Sequence, residues 1–171
     1  MSERTGVITL KGNPFTLVGP ELKAGDAAPD FTAVDNGLAE VNLASSAGKT
    51  RIFSVVPSLD TPVCSVQTKR FNDEVKNLPD GVEVITISAD LPFAQKRFCG
   101  DESVSIATIS DHRSLAFGEA YGVLIKELRI LARAIFVVDA SDKVTHVEIV
   151  GEVADEPNYD AAIEAAKNAA G

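Results

Sequence analysis

The run Thr50-Arg51-Ile52-Phe53-Ser54-Val55-Val56, followed by Pro57-Ser58-Leu59-Asp60-Thr61-Pro62-Val63-Cys64, decides the fold. Its first part is an apolar strand of the buried type, and beyond it Val63, Val66, Phe71, Val75 and Leu78 recur at close to helical spacing. Strand passes into helix at Pro62, because proline's missing N–H costs nothing in a first helical turn. The alternation continues downstream. Val82 to Ala89 reads as a strand, Leu91 to Phe98 as a short helix stopped by Gly100, Val104 to Ile109 as a short strand and Ser114 to Tyr121 as a helix ending at Gly122. Ala134 to Asp139 and Lys143 to Val150 are strands around Ala140-Ser141-Asp142, and a helix from Pro157 onward closes the chain. Upstream, Val7 to Leu10 and Phe15 to Val18 flank Lys11-Gly12-Asn13-Pro14 as an N-terminal β-hairpin spanning residues 1–18. Phe31 to Val34 and Leu38 to Leu43 flank Asp35-Asn36-Gly37, where Asn-Gly suits the positive φ of a tight turn. The expected fold class is α/β, with a mixed central sheet flanked by helices and the last two strands antiparallel.

The chain has 171 residues, 45% hydrophobic and 24% charged, and carries a formal charge of −9. One domain over residues 1–171 is expected, since about 100 to 200 residues support one core without a disulfide scaffold. The acidic balance argues against nucleic-acid and anionic-membrane partners, which require a concentrated basic surface. Met1 to Gly6 lacks the basic start and apolar run of a secretory signal, and the apolar stretch Ile130 to Val138 is interrupted by Arg133 and too short to span a bilayer. A cytoplasmic location is expected. Acidic residues show no metal-ligand spacing and no glycine-rich phosphate loop is present, so neither metal nor cofactor is implied.

Cys64 and Cys99 are too few for a secreted disulfide framework or a four-sulfur zinc site. They are either two buried small hydrophobes or a redox pair. Cys64 falls in the first turn of the helix that Pro62 opens, where free N–H groups and the positive end of the helix dipole favour a thiolate, the reactive form of a thiol. Thr61 precedes it by three residues, which brings a hydroxyl to the same edge, and its place before Pro62 is also that of an N-cap.

Pro57, Thr61 and Cys64 reproduce the Pro-x-x-x-Thr-x-x-Cys signature of the peroxiredoxins, and Arg133 in Ala132-Arg133-Ala134-Ile135-Phe136 resembles their active-site arginine. Ser58-Leu59-Asp60-Thr61 and the long segment Ser88-Ala89-Asp90-Leu91-Pro92-Phe93-Ala94-Gln95-Lys96-Arg97-Phe98-Cys99-Gly100 are similar to the thiol peroxidase subfamily, the atypical two-cysteine peroxiredoxins. The resemblance covers essentially the whole chain. It implies a thioredoxin-like fold, reduction of hydroperoxides at the expense of thioredoxin, and a homodimer. Cys64 would be the peroxidatic nucleophile, Arg133 would favour its thiolate and the charge developing on the leaving oxygen, Thr61 would orient the peroxide, and Pro57 would shield the sulfur. Cys99 would resolve the sulfenic acid as an intrachain disulfide. A disulfide needs Cα atoms within about 7 Å. The turn Thr61 to Ser65 and the helix bearing Cys99 are therefore expected to rearrange in each cycle.

Other functions fit fewer residues. A cysteine hydrolase would use His112 or His146 as base, and neither adjoins a triad-like motif. A disulfide oxidoreductase of the thioredoxin type lacks its Cys-x-x-Cys, which is Thr61-x-x-Cys64 here. A redox-inert binding or chaperone module on the same fold would leave Cys64 and Arg133 without a necessary role. Arg129 shares strand parity with Arg133 and competes with it for the arginine's place.

Overall fold

The computed structural model describes residues 2–171; Met1, included in the expected 1–171 domain and 1–18 hairpin, lies outside the described residues. The strands are β1 (Glu3–Leu10), β2 (Asn13–Val18), β3 (Ala33–Val34), β4 (Glu40–Val41), β5 (Thr50–Val55), β6 (Val82–Ser88), β7 (Ala107–Ser110), β8 (Leu124–Ile125), β9 (Ile130–Leu131), β10 (Ala134–Val138) and β11 (Val144–Ile149). The helices are α1 (Pro62–Glu74), α2 (Pro92–Asp101), α3 (Ala116–Ala120) and α4 (Tyr159–Ala170). A seven-stranded sheet runs β11-β10-β5-β6-β7-β3-β4, and a four-stranded sheet runs β1-β2-β8-β9.

Within the large sheet β5, β6 and β7 are parallel, as strand–helix–strand connections require, whereas β10 is antiparallel to both β5 and β11. Successive side chains alternate between faces. Ile52, Val84, Ile135 and Val137 point to one face, where Phe71 of α1 and Tyr159, Ala162, Ile163 and Ala166 of α4 cover them. Phe53, Val55, Ile87, Phe136 and Val138 point to the other, against Phe31, Phe117 and Tyr121. Phe117 and Tyr121 stack with ring centroids 4.1 Å apart, and the Tyr121 hydroxyl donates to the Pro29 carbonyl at 2.9 Å. The expected mixed sheet flanked by helices, with its N-terminal hairpin, is therefore present.

The hairpin of β1 and β2 closes through the two residues Lys11 and Gly12, both at positive φ (51° and 80°), which matches the right-handed twist of paired strands. It is stitched to the loop after β11. Thr9 N–H donates to the Gly151 carbonyl, Val153 N–H donates back to the Thr9 carbonyl, and Glu152 accepts from Gly12 N–H, Ala154 N–H and the Thr9 hydroxyl.

Several boundaries differ from the sequence expectation. The turn between β3 and β4 places its positive φ on Leu38 (68°) rather than on Asn36 or Gly37. Asp35 N–H donates to the Ala39 carbonyl, leaving a three-residue loop whose third residue takes the left-handed position. The flanking strands shrink to two residues each. The α2 helix runs through Gly100 to Asp101 and stops where Ser103 turns left-handed, so Cys99 lies inside the helix. A glycine weakens a helix without ending it. The β7 ladder starts at Ala107 instead of Val104 because Asn72 Oδ1 takes the N–H groups of Ser105 and Ile106. The helix expected over Ser114 to Tyr121 contracts to α3, since Leu115 is left-handed at its entrance. Beyond Glu74, the expected continuation of α1 tightens into a 3-10 turn, Val75–Asn77.

Candidate active site

Cys64 is the third residue of α1 and is completely buried. The helical ladder begins with Ser65 N–H to the Thr61 carbonyl, so the N–H groups of the first turn precede any intrahelical acceptor. The strand β5 aims this turn at the carboxyl end of the large sheet, the usual place for a site in an open α/β sheet. The antiparallel neighbour β10 starts there, so the residue before it, Arg133, arrives from the opposite direction at the same edge.

Arg133 is 2% exposed and each of its three guanidinium nitrogens donates a hydrogen bond. Nη2 donates to Cys64 Sγ at 3.3 Å, Nη1 donates to Gln67 Oε1 at 2.9 Å and Nε donates to the Val153 carbonyl at 2.8 Å. Gln67, also fully buried, donates through Nε2 to Ser54 Oγ at 2.8 Å. The planar fork is thereby fixed in two dimensions, and the arm left for the sulfur cannot rotate away without breaking two other bonds. Arg129 is exposed in the turn between β8 and β9, away from the sulfur.

Thr61 occupies the N-cap position with extended backbone, but its side chain does not cap the helix. Its hydroxyl donates to the Ser58 carbonyl at 2.9 Å, closing the turn that Thr61 N–H also closes onto that carbonyl. The oxygen lone pairs are left as acceptors towards the pocket. That pocket, of about 430 Å³, is lined by Pro57, Thr61, Val63, Arg133, Val153 and Leu10 among others. The structure thus brings Pro57, Thr61 and Arg133 around one opening; Cys64 does not itself line it and is joined to it through Arg133.

The loop between β5 and α1 is held by Asp90, whose carboxylate accepts from Ser58 Oγ (2.7 Å), Leu59 N–H (2.8 Å) and Ser88 Oγ (2.7 Å). Neither Asp90 nor Gln67 stands out as a site residue by local pattern. Gln67 had one signal, its spacing of three from Cys64, which puts a polar group on the same helical edge as the sulfur.

Cys99 does not join the pocket. It is half-buried on α2, packs against the small cluster of Val56, Leu59, Cys64, Phe98 and Val104, and opens onto a separate cavity of about 500 Å³ that includes Asn36, Thr108 and Phe31. Burial pushes the Cys99 thiol up from its ordinary value. Both cysteines are free. His112 and His146 make no hydrogen bond to Cys64, whose sulfur is paired with Arg133. Among the described residues no helix is long and apolar enough to cross a membrane.

The chain also resembles known proteins in sequence and in fold. The Redoxin family model matches residues 23–163. The chain is 60% identical over 163 residues to a thiol peroxidase of Halalkalibacterium halodurans, covering 95% of this chain and 98% of the relative. It is 57% identical over 161 residues to a thiol peroxidase of Bacillus subtilis, covering 94% and 96%. Among solved structures, a peroxiredoxin-like protein from Aquifex aeolicus superposes with a TM-score of 0.88 at 46% identity, covering 96% of each chain. A thiol peroxidase from Chromobacterium violaceum, at 24% identity and a TM-score of 0.79 over 90% and 91% of the two chains, shares the fold. A redoxin match over most of the length, joined to near full-length identity with thiol peroxidases, places this chain in the Redoxin family, among the thiol peroxidases, as a peroxiredoxin-type oxidoreductase.

Proposed function

We propose that the chain works as one domain over residues 1–171 and reduces hydrogen peroxide and organic hydroperoxides to water and alcohols, with Cys64 as the nucleophile. The Cys64 thiolate attacks one peroxide oxygen, the O–O bond breaks, and the other oxygen leaves as hydroxide or alkoxide and takes up a proton. Cys64 is left as a sulfenic acid. The observation that carries this reading is the 3.3 Å hydrogen bond from Arg133 Nη2 to Cys64 Sγ beneath a pocket shared with Thr61. A fixed guanidinium favours the thiolate and stabilises charge on the departing oxygen without reorganising. Thr61, its own proton engaged by Ser58, accepts the hydrogen bond of the incoming peroxide and orients it. Pro57, buried at the pocket wall, keeps water from the sulfur.

Cys99 then resolves the sulfenic acid, forming an intrachain disulfide and releasing water, and a thioredoxin dithiol returns both cysteines to thiols while becoming a disulfide itself. Support comes from the packing of Cys99 against the cluster that holds Cys64, together with its orientation into a different cavity, which makes partial unwinding of both first turn and α2 part of the cycle. The enzyme is read as a cytoplasmic homodimer, in a compartment that keeps thioredoxin reduced. A hydroperoxide assay coupled to thioredoxin and its reductase, run on wild type, Cys64→Ser and Cys99→Ser, tests the scheme. Cys64→Ser should lose all peroxide consumption and Cys99→Ser should lose thioredoxin-coupled turnover after the first oxidation. Sustained turnover by Cys64→Ser would overturn the assignment.

A further inference from the structure

Cys99 Sγ lies 3.7 Å from Thr108 Oγ1, and Thr108 Oγ1 lies 3.0 Å from Asn36 Oδ1. A hydroxyl has one proton and two lone pairs, and a carboxamide oxygen only accepts. The Thr108 proton is therefore committed to Asn36, and in the sulfur contact Thr108 is the acceptor and the Cys99 S–H the donor. We propose that Asn36 and Thr108 are positioning residues for Cys99, which keep it protonated and turned towards β7 until the sulfenic acid on Cys64 requires it.

Three further observations support the arrangement. Thr108 is 4% exposed on β7, so water competes poorly for its hydroxyl. The loop bearing Asn36 is fixed, because Asp35 Oδ1 accepts from both Gly37 and Ala39 N–H, and Val34 beside it pairs with Ser110 of β7. Burial also raises the Cys99 thiol; a Thr108 hydroxyl donating to the sulfur would lower it, and with the Thr108 proton held by Asn36 Oδ1 that opposing effect is withdrawn.

The chemistry gives this a purpose. Resolution joins the Cys99 and Cys64 sulfurs and expels the sulfenic oxygen as water, which needs one proton besides the hydroxide. A Cys99 that arrives as a thiol carries that proton with it. Until then it is a poor nucleophile, so only Cys64 answers peroxide. The kinetic part rests on the resolving role proposed above, while the hydrogen-bond assignment does not.

The test uses Cys64→Ser protein, in which Cys99 is the sole thiol and is reached through its own cavity. Iodoacetamide alkylation is followed against pH for this parent and with Asn36→Ala, Thr108→Val, Thr108→Ser and the Asn36→Ala/Thr108→Val pair added. Asn36→Ala frees the Thr108 proton to donate to the thiolate, so the midpoint should fall and alkylation at neutral pH should rise about tenfold. Thr108→Ser should behave as the parent. In the Thr108→Val background Asn36→Ala should have no effect on the midpoint, since it acts through the missing hydroxyl. An unchanged midpoint in Asn36→Ala, or an equal fall with and without Thr108, would overturn the proposal. With both cysteines present, disulfide formation after one equivalent of peroxide should show the same altered pH dependence in Asn36→Ala. A lowered alkylation midpoint with no intrachain disulfide at all would uphold the hydrogen-bond assignment and defeat instead the resolving role of Cys99.

Discussion

Arg133 and Cys64 stand 69 residues apart in sequence and 3.3 Å apart in space, joined by a guanidinium whose other two arms are tied to Gln67 and to the Val153 carbonyl. The arginine is thus aimed by three elements at once: β10, which it precedes, α1, and the loop after β11. Because that loop is itself stitched to the N-terminal hairpin through Thr9, Glu152 and Gly12, the hairpin is part of the scaffold behind the sulfur.

Replacing the arginine removes a preorganised donor. Arg133→Ala should lower the rate of Cys64 oxidation by about 100-fold to 1000-fold. Arg133→Lys keeps the charge but cannot serve sulfur, amide and carbonyl from one plane, so it should also remain well below wild type. Stopped-flow oxidation by hydrogen peroxide, with a melt to confirm folding, measures both. Near-native rates in either variant would defeat the role.

Gln67 should act through Arg133. Gln67→Met leaves Arg133 Nη1 and Ser54 Oγ without their partners, so the rate of Cys64 oxidation is expected to drop about tenfold to a hundredfold as the guanidinium loses its aim. Stability should fall by about 1 to 3 kcal/mol for the buried groups left unpaired. Urea titration and stopped-flow kinetics on the same preparation separate the two effects.

Arg51 is a second buried arginine, fully enclosed within β5, and it has nothing to do with the sulfur. It donates to Asp142 at 2.6 Å, to Ser46 Oγ and to the carbonyls of Leu43, Lys49 and Asp139. Asp142 is half-exposed, so the cost lies in the carbonyls and the Ser46 hydroxyl left unpaired: Arg51→Met should cost about 1 to 3 kcal/mol and lower the melting temperature by roughly 2 to 12 °C. Peroxide reactivity measured well below the melt should stay within about twofold, since the change lies far from the reacting atoms. Calorimetry and the kinetic assay decide this.

Asp111 sets a pH dependence of opposite sign to the usual carboxylate. Burial pushes it up to about 6, helped by Glu119 and opposed by the N–H groups of Phe117 and Gly118, from an unfolded value of 3.8. Between roughly pH 4 and 6 the folded protein therefore holds a proton that the unfolded chain has released, and the contribution of this group to stability falls as pH rises through that window. Urea unfolding of wild type and Asp111→Asn across the window should show wild type losing ground to the variant as pH increases. The reverse trend would show that burial does not dominate at Asp111.

The sequence by itself determined most of the elements and their order, because strand and helix periodicities, Pro62 at a helix entrance and Lys11-Gly12 in a turn are short-range signals. It missed β8 and β9, two residues each, a pair that β8 ties to β2 from far along the chain. It also located Cys64 in a first helical turn for the same reason. Its other errors are at boundaries, where a side chain from elsewhere or a left-handed residue intervenes. Asn72 takes the N–H groups that would have begun β7 earlier, and Leu38 rather than Gly37 takes the left-handed position of its loop.

Tertiary structure alone decided the rest. That β10 lies antiparallel beside β5 is what delivers Arg133 to Cys64, and no local pattern encodes strand order. The use of Thr61 was also settled in space, since its hydroxyl turns to Ser58 instead of capping α1. Finally, the two cysteines, whose sequence contexts already differ, open in different directions. Cys64 is buried with its sulfur on Arg133, whereas Cys99 faces Thr108 and Asn36, because α1 packs beside β6 and α2 beside β7, the strand that carries Thr108.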